Sequence, residues 1–124
     1  MLLDSNIIIY AIRPENDVLR EFIRLNKPAV SSISLVEALG YHKITEADRA
    51  DLETFFASSV VLAISDLVVR KAVELRQTRK MSLGDAIIAA TAVVHDRTLV
   101  TRNITDFHWV PGIKLVDPLA EDEP

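Results

Sequence analysis

The chain predicts an α/β fold, an α/β/α sandwich around a mainly parallel central sheet of about five short strands. Three observations carry that expectation. Short β-branched runs alternate along the sequence with amphipathic helical segments, the order that builds parallel βαβ units. The segment SLGDAIIAATAVVHD is apolar almost all round, as a helix in the middle of a domain must be. And 124 residues, 49% of them hydrophobic and 26% charged, make one domain with enough apolar surface for its own core.

Leu2–Asp4 is a short apolar strand, followed by an apolar helical turn that Pro14 stops, because proline has no N–H to continue the helical ladder. In ENDVLREFIRLN, Val18, Leu19, Phe22, Ile23 and Leu25 share one helical side while Glu15, Arg20, Glu21 and Arg24 face away. PAVS is the second strand, and Ser34 opens a helix through Leu35, Val36, Ala38 and Leu39 that Gly40 weakens. TEADRADLETFFASS is a third amphipathic helix with Leu52, Phe55 and Phe56 as its core face, and VVLAIS follows as a strand. Residues 66–80 form a helix carrying Arg70, Lys71, Arg76, Arg79 and Lys80. The central apolar helix comes next, then the strand TLVTR, the short turn NITDFHW and the last strand IKLVD. Residues 1–118 read as the domain, and residues 119–124 as an acidic tail expected to be disordered.

With no cysteine, a disulfide framework, a thiolate metal site and a cysteine nucleophile are all excluded. No apolar run approaches the roughly 18 residues of a membrane span, and Leu2-Leu3-Asp4 follows Met1 without a basic leader, so a cytoplasmic protein is expected. Fourteen Lys and Arg against 18 Asp and Glu give a net charge of −4. That balance argues against a protein that holds nucleic acid by bulk positive charge.

Open parallel sheets bind ligands outside the carboxyl ends of their strands, so the acids there matter most. Asp4 ends the first strand, Asp106 follows TLVTR, and Glu37 and Asp85 are placed in the first turns of two helices. Each acid alone has an ordinary explanation. Ser34-x-x-Glu37 and Ser82-x-x-Asp85 both match a capping box, as does Thr45-x-x-Asp48, while Asp4 and Asp106 suit helix or turn caps. Jointly, four carboxylates at one sheet edge repel and raise one another's pKa unless a cation sits among them. Oxygen-only ligation, without cysteine or a paired-histidine motif, suits Mg²⁺ or Mn²⁺ rather than zinc.

The strings LLDSN, SLVEALG, LGDAIIAATA and LVTRNITDF resemble, in order and spacing, the four motifs of PIN-domain nucleases, most closely the VapC-type toxin ribonucleases of toxin–antitoxin pairs. The resemblance runs from Leu2 to about Val116. It implies a PIN-like domain in which Asp4, Glu37, Asp85 and Asp106 bind divalent metal, supported through hydrogen bonds by Ser5 or Asn6 and by Thr101 or Asn103. It also implies Mg²⁺-dependent hydrolysis of RNA phosphodiester bonds, an antitoxin partner of the VapB kind, a homodimer and a higher assembly on operator DNA. The alternative from another class is a PIN-like binding module with weak or no nuclease activity, working in a DNA-binding complex with such a partner.

Arg13, Arg76, Arg79 and Arg102 are candidates for RNA phosphates, although a run of charge is more often a solvated helix face. His42, His95 and His108 lack metal-ligand spacing and are expected to finish helices or turns. Phe107 and Trp109 pack the last turn onto the core or stack bases, packing being the commoner use of such a pair. Setting aside the four candidate ligands and the three acids of EDEP leaves 11 acids against 14 bases, so the negative surplus lies where a cation is wanted.

Overall fold

The computed structural model describes residues 1–120. Five short strands, β1 (Leu2–Leu3), β2 (Val30–Ser31), β3 (Val61–Leu62), β4 (Leu99–Val100) and β5 (Leu115–Val116), alternate with helices. These are α1 (Ser5–Ala11), α2 (Asp17–Asn26), α3 (Ser32–Leu39), α4 (Glu46–Ala57), α5 (Asp66–Thr78), α6 (Leu83–Val94) and α7 (Ile104–Phe107). Strands β1, β4 and β5 form one parallel sheet in that order, and β2 and β3 a second parallel pair. A parallel bridge between Leu2 and Ala29 ties the two together, with Leu3 N–H donating to the Ala29 carbonyl at 3.0 Å. The five strands therefore lie side by side in the order β3-β2-β1-β4-β5.

Alternation along the strands divides the core in two, since successive side chains of a strand point to opposite faces. Leu2 and Leu99 join Val68, Ala72 and Leu75 of α5, Ala86–Ala90 and Ala92 of α6, Phe107 and Val110 in one cluster. Leu3, Val30 and Val100 join Ile7, Ile8 and Ala11 of α1, Leu19 of α2, Ala38 of α3 and Leu52 and Phe56 of α4 in the other. Helices thus cover both faces, and α6 is buried along Ala86–Ala92, as its all-round apolarity predicts. Leu3 has no exposed surface, so Leu3→Ala is expected to cost about 2–5 kcal/mol in chemical denaturation, the range for a cavity that a packed core closes only partly.

Local signals set the helix ends. The side chains of Ser31, Thr45, Ser65 and Ser82 each accept a backbone N–H at the start of their helix. Lys27 closes α2 in the left-handed conformation with φ 43°. Three expectations need correction. Helix α3 starts at Ser32 behind the cap Ser31, not at Ser34, which puts Glu37 in the second turn and removes its capping box. On α2 only Leu19 is buried, with Phe22 and Ile23 half-buried, while Val18 and Leu25 are 69% and 66% exposed. Val18 and Leu25 lie seven residues apart on one flank, outside the strip that reaches the core. Helix α5 stops at Thr78 rather than residue 80, because Arg79 turns extended at φ −154°.

Leu119 packs against the second cluster, and its N–H is held by Asp117 Oδ1 at 3.0 Å. Of the expected acidic tail, residues 121–124 lie outside the described residues.

Candidate active site

Parallel pairing of β1 with β4 sets Leu3 opposite Val100, so the residues that follow, Asp4 and Thr101, meet at the carboxyl edge. Both are buried. The Thr101 hydroxyl donates to Asp4 Oδ2 at 2.8 Å and accepts from the Asn103 backbone N–H at 3.0 Å. Asp4 occupies the N-cap position of α1, yet its side chain makes no capping hydrogen bond. Its carboxylate is bonded instead by Thr101, the residue just past β4.

Glu37 reaches the same edge from α3. Ser5 at the start of α1 donates to Glu37 Oε1 at 2.8 Å and shares a second 2.8 Å bond with the hydroxyl of Ser34. Because the one Ser5 proton goes to Glu37, Ser34 supplies the proton of the second bond. On its other side Glu37 lies against the first turn of α6, where Gly84 stands. A Cβ at Gly84 would come 2.5 Å from Glu37 Oε2. Only glycine leaves the carboxylate this seat.

Asp85, next along α6, takes part in a true capping arrangement, its N–H donating to Ser82 Oγ at 3.1 Å. The cap and the site therefore use the same residue. Burial raises the Asp4 carboxyl above its ordinary range; the Thr101 hydroxyl opposes this, and Asp85 and Glu37 add repulsion. Asp85 is raised as well, first by burial, against the Ser82 hydrogen bond, with Asp106 and Glu37 repelling. Asp4 thus feels Asp85 and Glu37, and Asp85 feels Asp106 and Glu37.

The sign of the pH effect follows. Between the ordinary value of 3.8 and the raised values, the folded chain binds more protons than the unfolded one. Stability therefore falls as pH climbs through that window, and the full penalty is present above it. Thr101→Val removes the donor that favours the Asp4 carboxylate, so the Asp4 titration followed by carboxyl-carbon NMR should move to higher pH. An unmoved titration would contradict the role given to Thr101.

A family profile described as the PIN domain matches residues 1–111. The chain belongs to the PIN domain family. Ribonuclease VapC2 of Rickettsia felis is 30% identical to this PIN domain, over 92% of this chain and 94% of that protein. The tRNA(fMet)-specific endonuclease VapC of Salmonella typhimurium is also 30% identical, covering 94% and 96% of the two chains. Among solved structures, DNA-bound VapBC from Salmonella typhimurium superposes with a TM-score of 0.83 at 28% identity, covering 94% of this chain and 96% of that one.

The PIN domain brings some sequence-selected residues together and keeps others apart. Arg76 and Arg79 line a groove of about 660 Å³ together with Asp85 and Asp106. Arg13 is instead paired with Asp48 at 3.2 Å, and Arg102 with Asp117 at 3.4 Å. Asn6 is exposed, and Ser5 makes the bond to Glu37. Asn103 acts through its backbone, on Thr101. His95 and His108 follow the ends of α6 and α7, and His42 packs edge-on against Tyr41. Two residues of the PIN domain's site escaped sequence reasoning. Ser34 was masked by its resemblance to a cap, and the signal for Gly84 was a helix-weakening glycine directly before a candidate ligand.

The donors are all carboxylate oxygens, the chemistry that a hard divalent cation prefers, and neutralising Asp4 and Asp85 repulsion is work such a cation does. Among the described residues no three Asp, Glu or His side chains stand close enough to hold one ion as they are. Glu37 is drawn toward Ser5 and Asp4 toward Thr101. Among the described residues no helix is long and apolar enough to cross a membrane.

Proposed function

We propose that this PIN domain is the toxin ribonuclease of a toxin–antitoxin pair and hydrolyses RNA phosphodiester bonds with Mg²⁺ or Mn²⁺ held by Asp4, Glu37, Asp85 and Asp106. The observation that carries the reading is the coupled set of four acids at the carboxyl edge, two of them pushed toward the protonated form. The names of the relatives support the substrate class. When bound, the cation supplies positive charge to the phosphate undergoing attack and makes water more acidic.

The remaining work falls to the chain. Asp85 or Asp106 orients the attacking water and accepts its proton, while Thr101 and Ser5 hold Asp4 and Glu37 in place. Water oxygen bonds to phosphorus, the bond from phosphorus to the 3′-oxygen breaks, that oxygen takes a proton from solvent, and the products are a 5′-phosphate and a 3′-hydroxyl. The antitoxin partner and assembly on operator DNA follow from the DNA-bound VapBC relative, and a homodimer from the family resemblance.

The test is end-labelled RNA and DNA incubated with the purified protein in Mg²⁺, in Mn²⁺ and in EDTA. RNA cleavage that EDTA abolishes is expected. Equal turnover in EDTA, or none in any buffer, would overturn the reading; the second result, combined with operator binding alongside a partner, would favour the binding module.

A further inference from the structure

Beside Asp85 and Asp106, the groove between the α5–α6 connection and α7 holds three basic residues, Arg76, Arg79 and Lys80, and Trp109. The Arg79 guanidinium lies over the Trp109 ring, 4.9 Å from its centroid. Helix α5 ends at Thr78 and the extended backbone of Arg79 carries its side chain away from the helix axis. Arg76 Nε donates to the Met81 carbonyl at 3.3 Å and pins the connection in that shape. Trp109 is held in place, packed against the first core cluster with its Nε1–H donating to the Asp106 carbonyl at 3.0 Å.

Of the four candidate arginines two are neutralised, Arg13 by Asp48 and Arg102 by Asp117. Among the described residues Arg79 has no acidic partner. A guanidinium 4.9 Å from an indole centroid thus lines an open groove. A phosphate clamp uses the guanidinium fork and needs no indole beside it. A rigid planar cation on an aromatic support is the surface on which unstacked bases of single-stranded RNA settle.

We infer that this groove is a nucleobase subsite, in which one base of single-stranded RNA stacks on the outer face of Arg79 with Trp109 as its backing, next to the phosphate at Asp85 and Asp106. The inference rests on the ribonuclease reading and adds where the neighbouring nucleotide is held. The subsite tolerates any base and excludes duplex RNA, whose bases are already stacked.

Trp109 is the only tryptophan in the chain, so its emission reports on the groove alone. The probes are a mixed-sequence RNA hexanucleotide, kept intact by measuring in EDTA, and a fully abasic strand of the same length and charge. The intact strand should change Trp109 emission and bind about 10-fold more tightly than the abasic strand, the lower end of one base stack. In Arg79→Lys the gap between the strands should close, with the salt dependence of binding retained. No emission change, no preference for bases in the parent, a gap that persists in Arg79→Lys, or no binding of either strand would each overturn the subsite. RNA cleavage assayed on the same preparation reports separately on the ribonuclease reading.

Discussion

Asp4→Asn is expected to cut RNA cleavage by at least about three orders of magnitude, the rate equivalent of the several kcal/mol that a metal-assisted site supplies. The same change should leave Tm at neutral pH unchanged or raise it by a few degrees, roughly what about 1 kcal/mol is worth in a domain of this size. Both effects have one cause. Asp4 is 4% exposed, and its carboxyl is held above its ordinary pKa by burial and by two neighbouring acids and costs the fold stability once ionised. Asparagine keeps an oxygen for the Thr101 hydroxyl and carries no charge. The stability gain should shrink on acidification toward 3.8, where the parent's carboxyl is protonated too. Thermal melts across pH and a single-turnover assay check it, and a variant that both unfolds and cleaves like the parent would refute the assignment.

Gly84→Ala should separate activity from stability in a second way. A methyl group there arrives 2.5 Å from Glu37 Oε2 and 2.9 Å from its Cδ, so the carboxylate must leave its seat. The end of a flexible side chain moves at little cost, while alanine in place of glycine in a helix favours folding by about 0.5–1 kcal/mol. Displacing a site group by about 1 Å is worth about 100-fold in rate. The expected variant therefore melts at or above the parent temperature and cleaves about 100-fold more slowly. Glu37→Gln in the same assay provides the comparison: if Gly84→Ala were fully active, Glu37 would not work from the position seen here.

The readable parts of the site were those bound to the chain's own periodicity. Asp4 could be placed because an apolar strand runs straight into it, and Asp106 because it follows the strand TLVTR by a few residues. Asp85 was legible since a carboxylate heading an apolar helix has a desolvation cost that demands an explanation. Glu37 was found with the wrong local context. Ser31, Ser32 and Ser34 offer three cap candidates within four residues, and only the docking of α3 on α1 selects Ser31 as the cap and releases Ser34 to bond Ser5. The basic residues were less legible still, because a surface charge carries no record of its partner: Arg13 and Arg102 found acids, and Arg79 found an indole.

By itself the sequence determined the βα alternation, the central apolar helix, the strand-end acids and the all-oxygen chemistry open to them. Those properties follow from hydrophobic period, proline and cap chemistry, and composition, all local along the chain. Tertiary structure alone decided that Thr101 meets Asp4 across 97 residues, that Gly84 yields room to Glu37 and that Arg79 covers Trp109. The reason is that parallel strand register and helix docking set distances between segments far apart in sequence, and no local pattern encodes which side chains those distances bring into contact.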